Sequence, residues 1–271
     1  WTYTRSKYKV ASFERVIKPV AVSRQRPKTV ILGTSRASVG LDPKTLAVLT
    51  RERAYNFAIT GSYIDEISAA LRHAVRQAGS NAVVWGIDYF SFTRLRPDGV
   101  RKIAFIDDCS IFCVARTFAE MTVSLKALRD AVETVVRNAL GHSADHTVLG
   151  HYIGYDSKGV LPDKPAVHLQ PPFETAYDIF DKMLDFGLSR GVKFHLFISP
   201  TYRSHLRHGE QYRRWVDRVV KIAQKHNISI MRSDLDPFFT ADKRLYFDSG
   251  HFKTEVGNRV LRNLLLKKLS R

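Results

Sequence analysis

A serine near one end of the chain and an aspartate–histidine pair near the other are the residues best able to do chemistry together. Thr29-Val-Ile-Leu-Gly-Thr-Ser-Arg36 sets Ser35 just after a short apolar run, Val30 to Leu32, closed by Gly33. Leu245-Tyr-Phe-Asp-Ser-Gly-His-Phe252 sets Asp248 and His251 three residues apart. A serine hydroxyl is a weak nucleophile; it needs a base to take its proton and a carboxylate to hold that base in the right tautomer. With His251 as base and Asp248 as its orienter, one turn carries both, and only Ser35 has to come from elsewhere. The chemistry would be nucleophilic acyl transfer. Each motif also has a plainer reading, with Ser35 capping a strand-to-helix turn and Asp248 capping the final helix.

The elements that must position these residues are legible as an alternation. Val30–Leu32 reads as a buried strand of a parallel sheet, and the carboxyl end of such a strand is where ligands bind in open α/β folds. Tyr55–Thr60, Ala82–Ile87, Val192–Ser199 and Ile228–Met231 read as four further strands. Between them, Ile67, Leu71, Ala74, Val75 and Ala78 recur at helical spacing up to Gly79, as do Trp215, Val219, Ile222 and Ala223. Val256, Val260 and Leu264 line a last helix with Lys267 and Lys268 near its end, where the helix dipole favours cations. The pattern implies an α/β doubly wound parallel sheet spanning 29–271. Residues 1–28 carry eight Lys/Arg against Glu14 alone and read as a basic arm or partial helix. An insertion of about 92–172 separates strands three and four, far longer than an ordinary connection. In it Ile111, Val114, Phe118, Met121, Leu125, Leu128, Val132 and Val135 form a heptad seam on one long helix, packed on its own domain or serving as a cap or partner surface.

Composition bounds the rest. The 271 residues are 44% apolar, enough for a packed core. No run of eighteen apolar residues is present, so no span is expected, and a chain beginning at Trp1 suits a trimmed product. The net charge of +17 and pI near 10.0 favour anionic partners. No nucleic-acid signature accompanies that charge, which leaves anionic lipid or polysaccharide. Cys109 and Cys113 lack further ligands for a metal site and, one helical turn apart, would strain a disulfide; free or buried thiols are expected. His142, His146 and His151 invite a metal reading, but Gly141, Ser143 and Gly150 point to loop and no fixed carboxylate or cysteine completes a set. No Gly-x-Gly-x-x-Gly or P-loop is present, and no cofactor is expected.

A strand-end Gly33-Thr-Ser-Arg36 with a late Asp248-x-x-His251 resembles the SGNH (GDSL-like) hydrolase superfamily, and within it the alginate O-acetyltransferase-like branch. The resemblance implies a Ser35–His251–Asp248 triad and an oxyanion hole made of the nucleophile's own N–H, a glycine after strand two and an asparagine after strand three. Gly61 stands where the glycine belongs. After strand three the chain reads Gly86-Ile-Asp-Tyr89, so Asp88 replaces the asparagine and cannot donate when ionised. Tyr89 or a backbone group is a candidate substitute donor, weak activity being the alternative; Asp88 is a candidate site or structural residue, and Arg36 a candidate substrate contact. Tyr202, Arg203, His205 and His208 follow strand four on the ligand side and could grip a sugar or a uronate. The implied activity is acetyl transfer through an acyl-serine onto a bacterial exopolysaccharide, with a membrane acyltransferase as donor and a periplasmic or envelope location. The basic arm sits awkwardly with that location, because positive charge beside a membrane anchor favours the cytoplasmic side. A carbohydrate acetylesterase uses the same residues. A non-catalytic polysaccharide-binding or scaffold protein on the same fold is the third reading, favoured by the missing asparagine.

Overall fold

Five apolar runs become the strands of one parallel sheet. They are β1 (Thr29–Leu32), β2 (Ala54–Asn56), β3 (Ala82–Ile87), β4 (Lys193–Ile198) and β5 (Ile230–Arg232), in the order β2-β1-β3-β4-β5. The computed structural model describes residues 14–108, 132, 136, 147, 149–153, 170–202, 209–248 and 250–266. The heptad seam lies outside these residues except for Val132, which is helical and more than half exposed. Cys109, Cys113, His142, His146 and His205 also lie outside them.

Alternation along each central strand explains why both faces are covered. Val30 and Leu32 of β1, Val83, Trp85 and Ile87 of β3, and Leu196 and Ile198 of β4 belong to one hydrophobic cluster. Ile31, Val84 and Phe197, the residues between them, belong to a second. Successive side chains of a strand point to opposite faces, so a sheet apolar at every position must be packed on both sides. The larger cluster takes in α4 (Ile64–His73), α5 (Pro97–Asp108), α6 (Glu174–Leu188) and α7 (Gly209–Lys225). The smaller takes in α2 (Ser35–Gly40), α3 (Pro43–Thr50) and α9 (Thr254–Leu266). The strand order reverses between β1 and β3, which makes the crevice at their carboxyl ends the expected ligand site.

Several boundaries differ from the sequence reading. The second strand is paired only over Ala54–Asn56, although Phe57 and Ile59 still donate to the carbonyls of Ile31 and Gly33. The helix that ends at Gly79 changes after His73 to a π-turn over Ala74–Ala78, and Gly79 closes it at φ 65°. Residues 14–25, read as part of a basic arm or partial helix, form α1 (Glu14–Gln25) with Glu14, Val16, Lys18, Pro19 and Val22 buried. The sequence reading allows for the partial helix but not for its burial, because the buried face of α1 is partly charged. The short α8 (Pro237–Thr240) follows Asp236, whose carboxylate accepts from the Phe238 N–H.

Two glycines let the segment around His251 close on α2. A Cβ on Gly257 of α9 would stand 1.7 Å from the Gly40 carbonyl oxygen, so only glycine allows α9 to lie this close to α2. A Cβ on Gly40 would stand 1.9 Å from the buried Phe252 ring, next in sequence to His251. Gly40→Ala should therefore push Phe252, and His251 with it, away from α2. Overpacking of this kind costs about 1–3 kcal/mol, measurable by denaturant unfolding. Wild-type stability would contradict this packing.

Candidate active site

The site begins with a turn that only glycine can make. Gly33 has φ 140°, and a Cβ there would meet Ala37 Cβ and the Gly86 carbonyl oxygen, each at 2.9 Å. Thr34 then caps α2, its hydroxyl accepting from the Arg36 N–H at 3.3 Å. The capping role falls to Thr34 and leaves Ser35 as the first helical residue. Ser35 Oγ lies 2.8 Å from His251 Nε2.

His251 is held from its other side. Its Nδ1 lies 2.9 Å from both carboxylate oxygens of Asp248. Asp248 Oδ1 also accepts from the backbone N–H groups of Gly250 at 2.7 Å and His251 at 2.8 Å. Asp248 does not cap the last helix, which starts six residues later at Thr254; it closes the turn that presents His251. The Phe247 N–H donates to the His251 carbonyl, and a bridge between Tyr246 and Phe252 closes the same turn. Burial alone would raise the Asp248 carboxyl. The hydrogen bond and charge of His251, with the two backbone N–H groups, outweigh it and hold the group well below the usual carboxylate range. Asp248 therefore stays ionised and fixes the proton on Nδ1, which leaves Nε2 facing Ser35 as the acceptor.

The residue in place of the expected asparagine has a different task. Asp88 is buried and accepts from Thr34 Oγ1 at 2.6 Å and from Arg36 Nη1 at 3.2 Å. The same Nη1 donates to Thr201 Oγ1 at 3.1 Å, past the end of β4. Arg36 Nε and Nη2 run beside Gly250, within 3.8 Å of where a Cβ there would sit. The pair thus brackets the β3 end, the β4 end and the His251 turn, and Arg36 neutralises a carboxylate that would otherwise oppose negative charge near Ser35. Tyr89, the candidate substitute donor, is turned into the core. Its ring packs on Tyr212 and Trp215 and its hydroxyl donates to the Gln170 carbonyl at 3.0 Å. Tyr202 is half-buried with its ring 6.1 Å from that of Tyr246.

The loop after β2 comes to the same place. The Ile59 N–H and the Ser62 hydroxyl both donate to the Gly33 carbonyl, at 3.1 and 3.0 Å. This brings Gly61 to the turn that carries Ser35. Among the described residues, neither the Ser35 nor the Gly61 N–H is taken up by another acceptor. These two N–H groups are the candidate oxyanion donors.

Sequence reasoning missed three contributors. Asn56, fully buried, donates to the carbonyls of Ala37 at 2.9 Å and Leu41 at 2.8 Å and so ties β2 to α2. Its position inside an apolar run was the available signal. Phe90 is half exposed and stacked on Tyr63, with centroids 5.8 Å apart, between the Gly61 loop and the β3 end. Lys18 is the third. His151, one of the metal candidates, is buried with Nε2 2.8 Å from the Val39 carbonyl oxygen, a bond that occupies one of its ring nitrogens. Asp181, Asp185 and His226 do cluster at ligand spacing, but both imidazole nitrogens already face carboxylates, Nε2 at 2.5 Å from Asp181 and Nδ1 at 3.3 Å from Asp185.

No known family profile matches the chain, and no curated protein matches it. Among solved structures, it is similar to an acetyl xylan esterase at 12% identity and a TM-score of 0.48, over 89% of this chain and 99% of that one.

Asp248→Asn tests the electrostatics of the turn. The loss of tautomer control should lower turnover roughly 10³–10⁴-fold with the fold intact. The folded carboxyl titrates below its ordinary 3.8, so its bonds stabilise the protein above that pH, and this is lost as pH falls through the folded value. The melting-temperature gap between wild type and variant should therefore be widest near neutrality and narrow as pH is lowered through the acid range. A gap that widens on acidification would contradict the assignment.

Proposed function

We propose that the protein is a serine-dependent carbohydrate acetylesterase. The observation that carries this reading is His251, placed between Asp248 and the hydroxyl of Ser35. Ser35 Oγ attacks the acetyl carbonyl and its proton passes to His251 Nε2. The oxyanion is met by the Ser35 and Gly61 N–H groups, and the imidazolium is stabilised by ionised Asp248. His251 then protonates the departing sugar oxygen, leaving acetyl-Ser35. Water attacks this ester, again giving its proton to Nε2, and acetate leaves as the proton returns to Ser35. Loss of one oxyanion donor costs about 10²–10³ in rate in a serine protease, so two backbone donors beside Asp88 suit a slow enzyme.

The acetyl group is supported by the resemblance of Gly33-Thr-Ser-Arg36 and Asp248-x-x-His251 to SGNH enzymes. The carbohydrate is supported by Phe90, whose open face suits the C–H face of a pyranose ring. The charge of +17 supports a glycan that is itself anionic. Transfer of the same acetyl group to an exopolysaccharide hydroxyl, in the bacterial envelope and with a membrane acyltransferase as donor, uses the same acyl-serine. It differs only in whether a sugar hydroxyl or water reaches the ester first.

One experiment addresses both outcomes. Acetylated oligosaccharides, neutral and anionic, are incubated with the protein, with and without unacetylated acceptors. Acetate release and acceptor mass are followed together. Acetate release that is abolished in Ser35→Ala and His251→Ala, and no lower in the double variant, is the expected result, because such residues act as a unit. Acetyl appearing on the acceptor would turn the reading to transfer. Full activity in Ser35→Ala would contradict both.

A further inference from the structure

The mechanism needs two pieces of chain at a fixed separation, α2 with Ser35 and the loop with Gly61. Neither is covalently near the other, and both are short. Lys18, fully buried on α1, lies between them. Its ammonium donates to the Ala58 carbonyl in the loop and to Ser38 Oγ on α2, the latter at 3.4 Å. Its third partner is Glu14, one turn back on α1, with Nζ 3.1 Å from Oε1. Glu14 Oε2 in turn accepts from the Thr60 N–H at 2.7 Å, beside Gly61. Three N–H donors thus meet three acceptors on three elements, and no other side chain offers three donors on one compact head. A buried charge pair is costly and is a poor source of stability compared with apolar residues of the same volume. An apolar α1 face would pack as well but could not grip a backbone carbonyl on one side and α2 on the other.

We infer that Lys18 and Glu14 are positioning residues that set the Gly61 N–H against Ser35 for the developing oxyanion. This deepens the esterase reading and rests on it. The pair acts through the loop and touches no reacting atom. Asn56 fixes β2 to the far end of α2, and Lys18 and Glu14 fix the stretch beyond it, between Ala58 and Thr60.

The test separates positioning from stability. Lys18→Met alone removes the buried cation that pairs with the Glu14 carboxylate and is expected to destabilise strongly. Glu14→Gln combined with Lys18→Met removes both charges and should restore most of the melting temperature. Its kcat on a small acetyl ester should nevertheless stay at least about tenfold below wild type, with KM within about twofold, since small misplacements of catalytic groups cost this much or more. Recovery of kcat together with the melting temperature would overturn the inference. Should the paired variant not fold, Ser38→Ala removes one grip without unbalancing charge; a several-fold loss in kcat at unchanged KM is expected, and wild-type kcat would overturn it. Amide exchange of residues 57–62 reads the grip without any substrate: faster exchange there, with the sheet unchanged, is expected in either variant, and unchanged exchange would overturn it. Wild-type protein that hydrolyses no ester would count against the esterase reading, while exchange would still decide the grip.

Discussion

The hydrogen bond between Ser35 and His251 joins residues 216 positions apart, and the surrounding packing is organised to hold it. A bond of this kind weakens steeply when geometry drifts, so each side has its own fixed support. On one side, Gly33 makes the turn and Thr34 takes the capping role, leaving the Ser35 hydroxyl unspent. On the other, Asp248 binds two backbone N–H groups as well as the imidazole, and Phe252 is driven into the space left by Gly40. Gly257 then lets α9 close against α2. Side-chain volume is kept away from these contacts because volume there would move the histidine.

Arg36 and Asp88 show how a buried carboxylate at one strand end is satisfied by its neighbours. An ionised carboxylate cannot donate to an oxyanion and, left alone, would repel it. Thr34 and Arg36 both donate to it, so its charge is spent on fixing the first turn of α2. The carboxylate is thereby satisfied, but it offers no donor of its own. With Asp88 so engaged, the proposed oxyanion donors are the backbone N–H groups of Ser35 and Gly61, which is why the position of the Gly61 loop matters to the proposal.

Much of this was legible in the sequence. The apolar runs gave the strands because a sheet packed on both faces needs apolar residues at every position, and their alternation with helical patterns implied a doubly wound order. The chain positions of Ser35, Asp248 and His251 suggested a shared site, although nothing in the spacing could say that Thr34 would be the cap. The polar clasps were not legible. Glu14 and Lys18 sit in a charged stretch and Asn56 in an apolar one, and no periodicity distinguishes a buried charge with three partners from one in water. Tyr89 was misread because the 3-10 turn over Tyr89–Phe92 rotates its ring into the core, beyond what strand alternation can foresee.

In the proposed reaction Ser35 becomes the acyl carrier. The most direct measurement is peptide mass spectrometry on protein acid-quenched within the first turnovers of an activated acetyl ester. One added acetyl group is expected on the peptide that contains Ser35, absent in Ser35→Ala and prolonged in variants that slow deacylation. Acetyl found only on other residues, or turnover with no acetyl-enzyme under any quench, would contradict it.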